Sequence, residues 1–245
     1  MGIGALALGP RADPASASAP PPASPTVEAP PSITLLSYRR VSRWAYPQVA
    51  AIARATPSAH GRRVTRLRFL TPDGLNQAQI YQALREERDP KTGVRWIDLS
   101  LPRRPNGTTG WVPARALGKL HVAYGLIVVD RSRRRATLFN GRGKTIFSAP
   151  VGIGRPSLPT PAGRFYVLEK WRLIPGGFLG PFGLGTSAYA PTLTDWPGGG
   201  VVGIHGTDQP QLIPGDPSHG CVRLRNREIT RLWHMVSLGT AIEIT

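Results

Sequence analysis

The sequence contains a single cysteine and only two methionines, and its 14 acidic residues are set against 31 Lys and Arg. One thiol excludes any intrachain disulfide. Cys221 is therefore a buried hydrophobe, a reactive nucleophile or one ligand of a metal. No apolar run reaches the ~18 residues that a membrane-spanning helix requires, so membrane association is peripheral at most. The shortage of acid leaves a net charge of +17, which suits an anionic neighbour. The arginines are scattered rather than gathered on one periodic face, and no aromatic-interleaved basic motif of an RNA-binding sheet occurs. Nucleic acid is not an expected partner.

What the sequence has in quantity is glycine (28) and proline (26), with 40% hydrophobic residues over 245 positions. That composition favours short strands and turns around a real core, in one large domain or two modest ones. The expected fold class is mostly β, with one or two short helices. Residues 1–32 are set apart. GIGALALG (2–9) is apolar but short, and ASASA (15–19) offers Ala-x-Ala cleavage sites, so the start reads as the frayed end of a secretion signal. Pro10 to Ser32 is Pro/Ala/Ser-rich with almost no charge, an extended spacer.

Residues 33–117 mix strand-like pieces with turns. Val94–Leu101 and Gly110–Leu117 read as strands, and Leu75–Arg88 carries an apolar spacing that predicts a short helix. Residues 118–245 read as strands joined by Gly/Pro turns, including a hairpin around RSRRR (131–135). Pro175–Pro191 is so rich in glycine that it reads as a mobile flap. A helix is expected after the cysteine, capped by Asn226, with Ile229, Leu232, Trp233 and Val236 on its apolar stripe and Gly239 at its end. His234 lies off that stripe, on the solvated side. GRGKT (141–145) fails as a phosphate-binding loop, because Leu138 stands where the first glycine is required.

The chemistry concentrates in GIHGTDQPQLIPGDPSHGCVRLRN (203–226), which holds the cysteine and two of the five histidines. A thiol becomes a strong nucleophile as thiolate, and an imidazole with nearby N–H donors promotes that form. His205 at a strand end is placed to act as base, with the Gly206 carbonyl to orient its ring. Glycine beside the thiol lets a substrate carbonyl approach, and the N–H groups of Gly220 and Cys221 can meet a developing oxyanion. A zinc site built from His205, His219, Cys221 and Asp216 is the rival reading, disfavoured because no short-spaced ligand pair recurs elsewhere. A buried thiol with incidental histidines fits poorly with such polar, glycine-rich flanks.

IHGT (204–207) followed by SHGCVRL (218–224) resembles the signature of the YkuD-type L,D-transpeptidases of bacterial peptidoglycan, and TPAGRF (160–165), SAYAP (187–191) and GTAIEI (239–244) resemble further family segments in the same order. TGWVPARAL (109–117) resembles the last strand of bacterial SH3-like barrels. The resemblance implies a YkuD-like β-sandwich or barrel over 118–245, preceded by a small SH3-like β domain over 33–117. It implies an exported enzyme of the cell envelope that needs no cofactor. Its substrates are peptidoglycan stem peptides, carbapenem β-lactams are its expected inhibitors, and 3→3 cross-links form through a cysteine acyl-enzyme with release of D-Ala. By position, Cys221 takes the nucleophile's place and His205 the base's. Ser218, His219, Gly220 and Gly206 take oxyanion and supporting places, and Arg223 and Tyr189 substrate-binding ones. Pro214 replaces a glycine common among relatives. Two alternatives stay open: a carboxypeptidase or wall-remodelling hydrolase using the same cysteine, and a non-catalytic wall-binding protein.

Overall fold

The computed structural model describes residues 1–2, 32–37, 40–72, 76–174, 176–194 and 199–245. The expected spacer before Ser32 lies outside them. The strands among the described residues form two sheets. The first contains β1 (Ser32–Thr34), β2 (Val41–Ala45), β3 (Ile52–Arg54), β4 (Arg63–Arg66), β5 (Tyr81–Arg88), β6 (Arg95–Ser100), β7 (Thr109–Pro113) and β8 (His121–Tyr124). Their order is β4-β3-β7-β6-β5-β2-β8, with β1 pairing β5. Every pair in it is antiparallel, and Ala53, Ala83, Ile97, Leu99 and Val112 form its apolar core.

The second sheet contains β9 (Leu126–Asp130), β10 (Arg135–Phe139), β11 (Thr145–Pro150), β12 (Gly152–Gly154), β13 (Gly163–Arg172), β14 (Phe182–Tyr189), β15 (Val201–His205), β16 (Gly215–Ser218), β17 (Val222–Arg223) and β18 (Ala241–Ile244). The order is β11-β10-β9-β18-β13-β14-β15-β17-β12-β16. The single α-helix among the described residues, α1 (Asn226–Met235), packs on β14 and β15 through buried Ile229 and Leu232. Alternating apolar residues such as Ile127, Val129, Ala136 and Leu138 explain the hairpin of β9 and β10: one face is buried and the other is wet. The mostly-β expectation holds.

Three local expectations are corrected. The helix expected over Leu75–Arg88 is a strand from Tyr81 onward, with Leu75 outside the described residues. Its apolar spacing satisfied a helical period, but β6 and β2 take both edges of the segment. Cross-strand pairs such as Arg95 Nε to Glu86 Oε1 at 2.6 Å fit that arrangement. About half of the flap expected over Pro175–Pro191 is β14, buried in the middle of the second sheet, and a turn precedes it around 176–180. Finally, Asn226 does not cap α1: Arg225 holds the N-cap position, and Asn226 Oδ1 accepts a bond from the Thr207 N–H at 2.9 Å. The helix ends at Met235, before Gly239.

The two sheets meet at a small apolar cluster of Trp44, Ile80, Ala123, Tyr166 and Leu168. Tyr166 is fully buried, its hydroxyl donates to the Ile80 carbonyl at 3.1 Å, and burial pushes its pKa well above the ordinary tyrosine value. Gly239 sits against the Trp44 indole with φ +75, so a Cβ there would collide with the ring. Gly239→Ala is expected to destabilise the protein by about 2–4 kcal/mol in denaturant unfolding, from left-handed strain plus overpacking. A change within about 0.5 kcal/mol would show that this junction does not carry the fold.

Candidate active site

The segment 218–221 links two strands that flank β12. β16 runs parallel to β12 and β17 antiparallel to it, so His219, Gly220 and Cys221 cross from one side of β12 to the other. Such a crossing buries backbone groups that no strand can pair, and two hydroxyls satisfy them. Ser218 Oγ donates to the Cys221 carbonyl at 2.6 Å and accepts the Gly220 N–H at 3.1 Å. Thr160 Oγ1 donates to the Gly220 carbonyl at 2.9 Å and accepts the Gly154 N–H at 2.8 Å. Gly220 has φ +123, a conformation that a side chain would strain.

His205 closes β15, which runs parallel to β17 with His205 opposite Arg223. Its Nδ1 lies 2.6 Å from the Gly206 carbonyl, which sets Nδ1 as the protonated nitrogen and leaves Nε2 as the acceptor. Burial lowers the His205 pKa to about 4, further assisted by the charge of Arg223. The Cys221 sulfur accepts the Gly203 N–H at 3.4 Å. Burial pushes its pKa above the ordinary thiol value, while the Gly203 N–H and the Arg223 charge oppose that shift. At neutral pH the pair therefore rests as thiol and neutral imidazole, because burial disfavours the charged form of each.

Cys221 and His205 line one cavity of about 140 Å³ together with Ser218, His219 and Arg223. Phe178 and Leu179 from the 176–180 turn, and Ala190, Leu193, Gly200, Val201 and Val202, complete the wall. Arg223 Nε is buried with no hydrogen-bond partner among the described residues. Of the residues singled out from sequence, Cys221, His205, Ser218, His219 and Arg223 thus converge. Gly220 and Gly206 act through their backbones beside them. Tyr189 does not line the cavity: it is 7% exposed, and its ring lies 4.8 Å from the Arg104 guanidinium. Asp216 is held by Arg134 through bonds of 2.8 and 2.9 Å, away from any cluster of three His, Cys, Asp or Glu among the described residues.

Sequence reasoning missed Trp171, Thr160 as a support for Gly220, and Gly180. Trp171, Gly183 and His205 are successive cross-strand partners on β13, β14 and β15. The indole lies over Gly183, Gly185 and Gly203, where Cβ atoms would come within 2.6, 2.7 and 3.3 Å of it. The glycines that suggested a mobile flap are the floor on which this ring rests, and Trp171 Nε1 is anchored by Glu169 Oε2 at 2.6 Å. Gly180 packs on Gly206 beside Asn226, which seats the 176–180 turn next to His205. The period-two placement of Gly183 and Gly185 was the available signal.

The sequence profile of YkuD, the L,D-transpeptidase catalytic domain, matches residues 124–244. A putative L,D-transpeptidase YkuD of Bacillus licheniformis is 30% identical over 119 residues, spanning 49% of this chain and 64% of that protein. Its counterpart in Bacillus subtilis is 33% identical over 95 residues, spanning 39% and 51%. The chain thus covers less than two thirds of either relative. Among solved structures, an Enterococcus faecium L,D-transpeptidase is 26% identical, with 49% of each chain covered and a TM-score of 0.39.

The neutral, buried imidazole has a measurable consequence. A folded-state pKa of about 4 against an ordinary value of 6.5 means that the unfolded chain takes up the His205 proton first as pH falls. The contribution is fully present above about pH 6.5 and is lost between there and about pH 4, to a total of about 3 kcal/mol. Unfolding free energies measured across that window should fall less steeply in His205→Gln than in the wild type. Equal slopes would mean that the imidazole is not held neutral.

Proposed function

Residues 124–244 belong to the YkuD family of L,D-transpeptidase catalytic domains, and on that premise we propose that this chain transfers acyl groups between peptidoglycan stem peptides through Cys221. The observation that carries the proposal is the shared cavity in which Gly203 donates to the Cys221 sulfur and Gly206 fixes the His205 tautomer. The donor is a tetrapeptide stem and the product a 3→3 cross-link, with terminal D-Ala released. The place of action is the cell envelope, where a basic surface meets anionic wall polymers.

In this mechanism the Cys221 sulfur attacks the carbonyl carbon of the third stem residue while its proton passes to His205 Nε2. The thiolate character that develops is stabilised by the Gly203 N–H. Because the Gly220 N–H is committed to Ser218 Oγ, the oxyanion is assigned to the Cys221 N–H. The imidazolium then protonates the departing D-Ala nitrogen as the C–N bond breaks. The thioester that remains is attacked by an amine of a second stem. That amine loses a proton to His205, the C–S bond breaks, and the thiol is restored. Arg223, with its unpartnered buried Nε, is suited to a carboxylate of the stem. Ahead of this domain, residues 33–117 are proposed as an SH3-like module that holds the enzyme near its polymer.

The same centre opens a β-lactam ring: sulfur bonds to the ring carbonyl, the C–N bond breaks, and the product stays as a thioester. Intact-mass measurement after carbapenem treatment should show one adduct on the wild-type protein and none on Cys221→Ala. The same variant should retain its fold and lose at least about 10³-fold in turnover. An adduct that persists without the thiol would refute the assignment.

A further inference from the structure

We infer that Arg104 and Asn106, on the turn between β6 and β7 of the first sheet, are positioning residues for the wall of the Cys221 cavity. Arg104 reaches across to the second sheet and donates to three carbonyls. Nη1 bonds Gly199 at 2.9 Å, and Nη2 bonds Ala190 at 3.1 Å and Leu193 at 2.8 Å. Asn106 treats Tyr189 as a strand would. Its Nδ2 donates to the Tyr189 carbonyl at 2.8 Å, and its Oδ1 accepts the Tyr189 N–H at 3.0 Å. The Tyr189 ring lies under the Arg104 guanidinium. Five hydrogen bonds thus run from one turn to the backbone of Tyr189, Ala190, Leu193 and Gly199.

That stretch forms part of the active cavity. Ala190, Leu193 and Gly200 line it, and the Ala190 N–H bonds the Gly200 carbonyl at 2.8 Å, closing the base of the stretch. Gly200 has φ +78, and any Cβ there would strike the Leu193 carbonyl and Arg104 Nη2. A Cβ added to Gly220 would meet Ala190 Cβ at 3.6 Å. One residue therefore separates the Arg104 guanidinium from the cysteine link. Apolar packing of Ala188, Ala190 and Leu193 holds this segment's side chains, but it does not direct their carbonyls, whereas a planar guanidinium fixes several at once. The first sheet thus sets the shape of the cavity wall at Ala190, Leu193 and Gly200, and Tyr189 serves as an anchor instead of a substrate contact.

The effect on turnover rests on the acyl-transfer reading, while the positioning itself does not. The test uses the full chain with Arg104→Ala, Arg104→Lys, Asn106→Ala and, as a control on the same turn, Arg103→Ala, whose guanidinium bonds the Val64 and Arg104 carbonyls within the first sheet and, among the described residues, nothing on the second. Amide exchange at Tyr189, Ala190 and Val201 should rise about tenfold or more in Arg104→Ala and remain at the wild-type level in Arg103→Ala. Exchange in Arg104→Lys should lie between the wild type and Arg104→Ala, because an ammonium cannot span three carbonyls. KM for a tetrapeptide donor should rise about tenfold with kcat within about threefold, the signature of a misplaced wall around an intact nucleophile. Alkylation of Cys221 by iodoacetamide should change by less than about twofold. If Arg104→Ala does not fold, Asn106→Ala decides, with faster exchange at Tyr189 and Ala190 expected. Unchanged exchange in a folded variant, or a loss of kcat at constant KM, overturns the inference. A wild-type protein that neither turns over nor acylates sinks the enzymatic reading, while exchange still judges the clamp.

Discussion

The arrangement of the site depends on how three residues cross the end of β12 without leaving buried backbone unpaired. His219, Gly220 and Cys221 leave β16 on one side and enter β17 on the other. The hydroxyls of Ser218 and Thr160, each 1% exposed, take up the carbonyls and N–H groups that the crossing strands of the sheet cannot. An unmet buried polar group costs about 1–3 kcal/mol, so the pair of hydroxyls offsets several such costs at one place. With both ends tied, the thiol is presented at a fixed position beside Gly203 rather than on a wandering loop. Rigid placement of this kind is what the proposed acyl transfer would require of its nucleophile.

The second constraint is electrical. Burial holds the thiol and the imidazole uncharged, and both shifts oppose a standing ion pair. In the proposed acyl transfer, charge appears when a substrate carbonyl is in reach, with the Gly203 N–H and the Arg223 charge placed to receive it. Trp171 contributes from behind. By covering Gly183, Gly185 and Gly203 it excludes water from the strand beside His205. A wetter strand would raise the imidazole pKa and make its conjugate acid a weaker donor to a leaving amine.

Much of this was legible in the sequence, and the reason is local. Cys221, His205 and Arg223 lie on short segments whose glycines and polar flanks advertise a site. β10 and β11 alternate as half-buried strands do, and residues 124–244 match the L,D-transpeptidase catalytic domain. What was hidden depends on partners far along the chain. Only the period-two placement of Gly183 and Gly185 hints at Trp171 on a neighbouring strand, so a run of glycines read as mobility became a buried strand. The Tyr81–Arg88 strand is chosen by its neighbours on both edges, not by its own period. Tyr189 and Asn226 were assigned from position alone, and each is claimed by a distant group: Arg104 with Asn106 for the first, Thr207 for the second. Side chains that serve the backbone of another element leave no periodic trace.

The central claim is that Cys221 carries the acyl group between two stems. Rapid-quench mass spectrometry of the full chain with a purified tetrapeptide stem tests it most directly. The account predicts a thioester on Cys221 with the mass of the stem minus its terminal residue, released as a cross-linked dimer when a second stem supplies the amine. Free D-Ala or cross-linked product forming without any adduct on Cys221, or an adduct on another residue, would contradict it.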